Sequence, residues 1–362
     1  MSHALPDVYS NLVMVKLRKE LLLKDGIVFN NDYQGTAVAG AVKIPVRDTE
    51  VSAGDYNKAT GATLGTGTTT YETMTITHDK AVNEIIDGYD AAAVPDGIVA
   101  ERLDSAAYAL QNSIDTDGAT ELIAHGTTYG FGLTTSATIY GTLVDIRKAM
   151  SKANVPNDGR RYFLATPECY ALMLKDTDNF IRQGDISQEL VASGAVGKYA
   201  EFVVYEWNDT TANLLGIAGH PKFATRANEW SIPVAINNLT NEYIGSSAVQ
   251  GRMVYEHKVL RAAAVQCAYA PTELIVTAAA AASASGKTVL TVTGQGSLAL
   301  KYRIAPPVAS VYGGSTASGY TSLTSGTTEI TAADGVNIEV VSVADTTELV
   351  VGVGNVASVP KA

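Results

Sequence analysis

The stretch that decides the fold runs from residue 96 to residue 124 and reads DGIVAERLDSAAYALQNSIDTDGATELIA. Apolar side chains recur in it every three or four residues: Val99, Leu103, Ala106, Leu110 and Ile114. This spacing places them on one face of an α-helix. The stretch therefore predicts a helix despite Gly118, and it is the longest helix that we expect in the chain.

The segment before this helix predicts an extended β-hairpin. Residues 42–46 form a short strand in which Pro45 suits an edge position, and residues 71–78 alternate in polarity as a strand does. Residues 52–70 between them are rich in Gly and Thr. Because a lone hairpin is only marginally stable in water, we expect it to lie against another surface, for example that of a second copy of the chain.

The first residues of the chain predict an amphipathic helix that needs a partner surface. Its apolar side chains recur every four residues: Tyr9, Val13, Leu17 and Leu21. Charged side chains fall on other faces, and they interrupt the apolar run where a signal peptide would need a continuous one. No other apolar run approaches the length of about 18 to 20 residues that a membrane span requires. We therefore expect a protein that is not attached to a membrane.

Later elements complete an α+β class. Residues 139–153 predict a helix that ends before Pro156. Residues 162–165 predict a strand, after which Thr166 caps a helix that begins at Pro167. We expect further strands at residues 202–205, 214–218, 253–255 and 259–267.

The composition changes near residue 272, where Ala, Gly, Ser, Thr and Val become dominant. Residues 278–285 are predicted as a short connector of small residues. Beyond it, β-rich runs alternate with turn residues, and the predicted strands are residues 288–293, 298–304, 308–312, 329–331, 337–343 and 348–353. This pattern predicts an appended β-sandwich domain over residues 272–362.

Composition and charge exclude several classes of protein. With 362 residues, 46% hydrophobic and 17% charged, the chain is neither disordered nor a coiled coil. Its 26 basic and 37 acidic residues give a net charge of -11, which argues against a dedicated nucleic-acid binder. The two cysteines, Cys169 and Cys267, are too few for a disulfide framework and are predicted to be buried thiols.

The sequence contains no recognisable catalytic, cofactor or metal motif. There is no GxGxxG, GxxxxGK[ST], GxSxG or HExxH, and the five histidines (His3, His78, His125, His220 and His257) have no zinc-site spacing. Cys169 follows a predicted helix start, but we favour a core thiol over a nucleophile. The acidic pairs at 115/117 and 176/178 point to different sides of a helix and are predicted as solvated turns. We therefore predict no catalytic, cofactor-binding or metal-binding residues, no cofactor and no enzymatic activity.

Several blocks, in order, resemble the major capsid proteins of tailed bacteriophages of the coat-protein group with the Hong Kong 97 fold. The blocks are 9–11 (YSN), 17–18 (LR), 31–35 (NDYQG), 42–44 (VKI), 110–115 (LQNSID), 154–160 (NVPNDGR), 162–165 with 166–168 (TPE), Gly194 and Gly197 before 202–205 (FVVY), 216–220 (GIAGH) and 252–259 (RMVYEHKV). Ala200 stands where the family commonly has glycine. The tail is similar to the immunoglobulin-like domains that some phages append to shell proteins.

The resemblance implies a domain organisation. A capsid shell domain would span residues 1–271, with an N-arm over about 1–35, an extended hairpin over about 40–80, a spine helix over about 96–124 and an axial domain over about 137–240. An immunoglobulin-like β domain would span residues 272–362. The spine helix, which starts near residue 96, would be the spine of the peripheral domain.

The resemblance also implies function and partners. The protein would self-assemble as hexamers and pentamers into the icosahedral head shell that encloses double-stranded DNA without sequence-specific binding. A scaffolding protein, a portal and decoration proteins would be its further partners. It would be assembled in the bacterial host cytoplasm and reside in the virion capsid.

Two alternatives stay open at the level of sequence. The β-rich tail, rich in Thr, Ser and Gly, also suits a surface adhesin or carbohydrate-binding protein. Some phages of this fold crosslink subunits through isopeptide bonds, and Lys58 lies in the predicted hairpin tip, but no activating motif accompanies it, so we do not expect crosslinking.

Overall fold

The computed structural model describes residues 18–33, 40–47, 53–61, 69–88, 98–131, 134–182, 194–209, 211, 213–239, 244–282, 285–294, 298–304, 317–343 and 350–360. The helices among these residues are α1 (Ile98–His125), α2 (Ile139–Lys152) and α3 (Pro167–Lys175). The strands before α3 are β1 (Ala41–Arg47), β2 (Thr69–Thr75), β3 (His78–Ile86), β4 (Thr127–Gly130) and β5 (Tyr162–Ala165).

Fifteen described strands follow α3. They are β6 (Ile181–Arg182), β7 (Gly197–Tyr199), β8 (Phe202–Glu206), β9 (Leu214–Gly219), β10 (Ala224–Asn238), β11 (Ser247–Val259), β12 (Gln266–Tyr269), β13 (Thr272–Glu273), β14 (Ile275–Ala280), β15 (Lys287–Thr293), β16 (Ala299–Ile304), β17 (Thr321–Leu323), β18 (Glu329–Thr331), β19 (Asn337–Val343) and β20 (Val350–Ala357). The mixed α+β class is therefore confirmed, with few helices and many strands.

The chain divides into two compact units. The first comprises residues 1–121 and 224–260, and the second comprises residues 122–223 and 261–362. How these units correspond to the named regions of a shell subunit stays a prediction.

The first unit contains most of α1, one hairpin and one antiparallel sheet. β1 pairs with β2 from Ala41 opposite Thr75 to Arg47 opposite Thr69, which confirms the predicted hairpin. The sheet has the order β10-β11-β3. Gly251 of β11 lies where an added Cβ would approach Leu110 of α1 to 3.1 Å, so the lack of a side chain there lets helix and sheet pack closely.

The second unit contains a seven-stranded mixed sheet with the order β4-β12-β9-β5-β8-β7-β6. Its central strand β5 is buried along its whole length. The buried face of α2 packs in the same core, through the residues that the sequence places on that face: Ile139, Leu143, Ile146 and Met150. Thr166 has extended backbone, its hydroxyl accepts the Cys169 N–H, and Pro167 begins α3, as predicted.

The C-terminal part of the second unit forms two sheets around one core. Their orders are β13-β20-β19-β16-β17 and β14-β15-β18. Side chains from both sheets share the core, including Leu290 and Ile330 from the smaller sheet and Leu300, Ile338 and Val340 from the larger one. This arrangement is a β-sandwich, and it explains why the tail has short apolar runs separated by turns.

Three predicted elements of the first 270 residues need correction, and one long strand was missed. The strand expected at 71–78 is two strands, because Ile76 donates to the Gly40 carbonyl at the end of the hairpin and β3 pairs with β11 in another sheet. The strand expected at 253–255 is the middle of the 13-residue β11. The strand expected at 259–267 is interrupted by a 3-10 turn at Ala262–Ala264. The long strand β10 was not predicted.

The structure also differs from the predictions in the tail and at the N-terminus. The expected connector at 278–285 overlaps β14, whose residues alternate in exposure, and β17 was not predicted. The strand expected at 308–312 lies outside the described residues, and so do the start of the spine helix and residues 1–17 of the expected N-terminal helix. Residues 18–21 of that helix are described and are not helical.

Packing of α2 yields a testable prediction. Ile146 is fully buried, whereas Val144, two positions earlier, is 36% exposed. Ile146→Ala is expected to lower the free energy of unfolding by about 2 to 5 kcal/mol because it leaves a cavity. The control Val144→Ala is expected to change it by about 0.5 kcal/mol or less. Urea unfolding of both variants measures this, and equal shifts would contradict the placement of the helix face.

Candidate functional site

The described site is the base of the β1–β2 hairpin and the polar residues of α1 and β11 that hold it. Three carboxylates on α1 each accept a hydrogen bond from a different residue. Asp115 Oδ1 accepts the Leu23 N–H at 2.9 Å. Asp117 Oδ2 accepts the Tyr255 hydroxyl at 2.8 Å, and Glu121 Oε1 accepts the Val259 N–H at 3.1 Å. The helix is thereby bonded both to the N-terminal segment and to β11.

The expectation that Asp115 and Asp117 are solvated turn residues is wrong. Asp115 is 3% exposed, lies in the middle of a helix and faces the Lys19 ammonium at 3.4 Å. A buried carboxylate is costly unless it is paired and hydrogen-bonded. No pattern within α1 reveals these partners, because they come from residues about 90 and 140 positions away.

Gly118 of α1 allows a close contact in the same region. A Cβ at this position would lie 3.0 Å from the Phe29 ring and 3.2 Å from His257 Nε2. The Phe29 and His257 rings are themselves packed at a centroid distance of 4.8 Å. The glycine that weakened the sequence-based helix prediction therefore has a packing function.

Arg226 joins the N-terminal segment to β10 and β11. Its side chain is buried, and it donates to His257 Nε2 at 2.9 Å, to Asp25 Oδ1 at 3.2 Å and to the Leu23 carbonyl. Burial, followed by the Arg226 charge and His78, lowers the pKa of His257 to about 3. His257 is therefore neutral at pH 7, with Nε2 as the acceptor that Arg226 requires.

Glu256 anchors the point where the hairpin joins β3. Its Oε2 accepts both the N–H of Thr77 at 2.9 Å and the Thr77 hydroxyl at 2.7 Å. Its Oε1 lies 3.0 Å from His78 Nδ1. Because Thr77 lies between β2 and β3 and His78 begins β3, a single carboxylate fixes the exit of the hairpin.

The hairpin is buried at its base and exposed further out. Ile44 of β1 and Met74 of β2 pack against Ala227 of β10. Tyr71 is 65% exposed, and Tyr56, in the described part of the tip, is 74% exposed. Large exposed aromatic side chains on a projecting element are typical of a surface that contacts another protein.

The other residues that the sequence analysis considered for chemical functions lie outside this site. Cys169 and Cys267 are buried and free, and burial raises the pKa of each thiol to about 12, which confirms the core-thiol interpretation. His220 contacts Asp158 at 3.0 Å, and Lys58 is exposed. Asp176 accepts the Tyr199 hydroxyl at 2.5 Å. Within the described ranges, no three His, Cys, Asp or Glu side chains form a metal-binding group, and no helix is long and apolar enough to span a membrane.

The chain is similar to solved structures of phages. The chain matches a structure of Mycobacterium phage Che8 with a TM-score of 0.60 and 20% identity, over 73% of this chain and 96% of that one. It matches the capsid structure of the cyanophage P-SCSP1u with a TM-score of 0.58 and 15% identity, over 73% and 92%. It matches the mature capsid of bacteriophage PhiM1 with a TM-score of 0.52 and 12% identity, over 71% and 92%.

These likenesses establish the fold. The chain has a phage capsid fold of the Hong Kong 97 type, and the resemblance found in its sequence blocks is confirmed at that level. No protein-family model and no curated protein matches the chain. The fold therefore rests on the arrangement of strands and helices rather than on overall sequence similarity.

The anchor at Glu256 makes a prediction. Glu256→Gln replaces one of the two acceptor oxygens by an amide N–H group, which then faces other hydrogen-bond donors. The free energy of unfolding is therefore expected to fall by about 1 to 3 kcal/mol. Glu84→Gln is the matched control, because Glu84 on β3, whose side chain is 39% exposed, forms an exposed ion pair with Arg102. That control is expected to cost less than about 1 kcal/mol. Urea unfolding compares the two, and a control effect as large as that of Glu256→Gln would refute the anchor.

The low pKa of His257 makes a second prediction. The pKa of His257 in the folded protein, about 3, lies below its ordinary value of 6.5. The contribution of neutral His257 to the free energy of unfolding is therefore fully present above pH 6.5 and declines as the pH falls toward 3. His257→Gln keeps an acceptor for Arg226 without titrating. From pH 7 to pH 5, the wild type is expected to lose about 2 kcal/mol more stability than this variant. Urea unfolding at the two pH values measures this. Equal losses of stability in the wild type and the variant would contradict the assignment of a low pKa to His257.

Proposed function

We propose that this protein is the structural major capsid protein of a tailed phage and has no enzymatic activity. The observation that carries the proposal is the likeness to phage capsid structures, which extends over 92% or more of each matched chain. Copies of the chain would assemble into hexamers and pentamers and close into an icosahedral shell around double-stranded DNA. Cyclic head-to-tail contacts of this kind need two different patches on each subunit that are complementary to each other.

The hairpin is the element that we propose to reach a neighbouring subunit. Its base is fixed by Glu256 and by Ile44 and Met74, whereas Tyr71 and Tyr56 are exposed. An element that is anchored at its base and exposes aromatic side chains further out presents a preformed contact surface, which lowers the ordering cost of association. Several such contacts per subunit add by multivalency.

The domain assignment follows the same proposal. Residues 1–271 would form the shell domain, with the N-arm, extended hairpin, spine helix and axial domain as predicted. That range makes up about three quarters of the 362 residues, close to the 73% of the chain that matches phage structures. Residues 272–362 would form an immunoglobulin-like domain, and the two-sheet sandwich supports this for the described strands.

Partners and location are inferred from the shell function. A scaffolding protein and a portal would take part in assembly in the host cytoplasm, and decoration proteins would bind the finished virion capsid. The net charge of -11 suits a wall that retains DNA by enclosure, because an acidic surface does not bind phosphates tightly.

Assembly of the purified full-length protein tests the function. Electron microscopy is expected to show closed particles for the wild type, alone or with its scaffold. Tyr71→Asp places a charge in the proposed contact and is expected to abolish particles while the circular dichroism spectrum stays unchanged. The matched control is Ile275→Asp, since Ile275 is 67% exposed on the sandwich. A wild type that stays monomeric with the scaffold, or a Tyr71→Asp variant that assembles normally, would contradict the proposal.

A further inference from the structure

The two strands of the hairpin each have one side without a strand partner. Among the described strands, β1 and β2 pair only with each other. The outer side of such a strand presents N–H and C=O groups that can pair with a strand of another molecule. Proteins restrict this kind of pairing with specific residues on their edge strands, because it otherwise leads to unspecific association.

The hydrogen bonding of the hairpin determines which backbone groups of β1 face outward. The Ile76 N–H donates to the Gly40 carbonyl at 3.0 Å. These two residues continue the register in which Ala41 lies opposite Thr75. Because hydrogen-bonded and non-hydrogen-bonded pairs alternate along an antiparallel ladder, every second residue of β1 directs its N–H and C=O groups away from β2. The outward positions are residues 41, 43, 45 and 47.

Pro45 occupies one of these outward positions. It is exposed and lies opposite Tyr71. The proline nitrogen carries no hydrogen, and its ring fills the space into which the hydrogen would point. Since this position does not donate to β2, the hairpin loses no hydrogen bond of its own. The outer side of β1 instead lacks a donor, and a strand added there would meet the proline ring in place of an N–H group.

The two sides of the hairpin differ in this respect. The outward position before Pro45 is Lys43, which is exposed, and a lysine on an edge strand also disfavours the addition of a further strand. β2 reads TTYETMT and contains no proline and no lysine, so Tyr71 and Thr73 keep their outward donors. The features that block strand addition are therefore concentrated on β1.

We propose that Pro45 closes the outer side of β1 to strand addition and is a specificity-determining residue for association between copies of the chain. The strand that it excludes is β1 of a second copy. Apart from Pro45 and the charged residues, β1 consists of Ala, Val and Ile, and the Val and Ile residues favour extended structure. Two such strands with complete outer sides would pair and join two hairpins into one sheet. This role is separate from the proposed function, because it concerns a contact that the chain avoids.

Restoring the missing N–H group tests the proposal in the full-length chain. Pro45→Thr supplies a donor and a residue that favours strands, and Pro45→Ala supplies the donor alone. Subunits that have not assembled are isolated by size-exclusion chromatography. Both variants are expected to keep the wild-type circular dichroism spectrum. They are expected to form thioflavin T-positive aggregates at least about threefold faster than the wild type, with Pro45→Thr the faster of the two.

A shifted proline separates the missing donor from the other properties of Pro45. Adding Lys43→Pro to Pro45→Thr removes the N–H group at the neighbouring outward position, and aggregation is expected to return to the wild-type rate. Because Lys43→Pro also removes a charge that opposes association, this recovery can come only from the missing donor.

Two results would overturn the proposal. One is a wild-type aggregation rate for Pro45→Thr, and the other is a double variant that aggregates as fast as Pro45→Thr. If Pro45→Thr alters the circular dichroism spectrum, Pro45→Ala, alone and combined with Lys43→Pro, decides in its place. Since aggregation is measured on unassembled subunits, the outcome does not depend on whether the chain forms particles.

Discussion

The buried carboxylates of α1 are the constraint on which the rest of the first unit depends. A charged group that is 3% exposed, as Asp115 is, must find its partners in the folded chain, because leaving it unpaired costs several kcal/mol. Asp115 accepts the Leu23 N–H and forms an ion pair with the Lys19 ammonium, and Asp117 accepts the Tyr255 hydroxyl. These bonds fix the N-terminal segment and β11 to a single helix in the register that the structure shows.

The position of the hairpin follows from that register. With β11 fixed by α1, Glu256 is held where both of its oxygens meet Thr77 and His78. The base of the hairpin is therefore determined by polar bonds as well as by the packing of Ile44 and Met74. Its exposed aromatic residues then project from a rigid support. Such an arrangement suits the proposed contact between copies of the chain in a fixed geometry.

The sequence predicts elements well where one periodicity dominates. The buried face of α2, the strand β5 and the cap at Thr166 all follow from local patterns, and each is confirmed. On α1, the predicted face is confirmed at Ala106, Leu110 and Ile114, which are buried. The strand β10 was missed because its pairing shifts register between Asn228 and Trp230 and between Ile232 and Ala235. Each shift breaks the alternation on which strand prediction relies.

The candidate site was less predictable than the fold, for a physical reason. Asp115 reads as solvated in isolation because carboxylates are rarely buried, and its burial depends on a segment some 90 residues away. Glu256 stood in a resemblance block, yet its role appears only when Thr77 is brought beside it. Only the antiparallel pairing of β11 with β3 brings them together, and no spacing in the sequence encodes that pairing. The hairpin itself was predictable because both of its strands carry local signals.

Amide hydrogen exchange of the hairpin, compared between free subunits and assembled particles, tests the central claim most directly. β1 and β2 pair only with each other among the described strands, so their outer amides are expected to exchange rapidly in the free subunit. If the hairpin contacts neighbouring copies, amides near Tyr71 become strongly protected on assembly, whereas those of the buried strand β5 do not change. Equal protection of the hairpin in both states would show that it binds its own subunit or nothing, and would contradict the account.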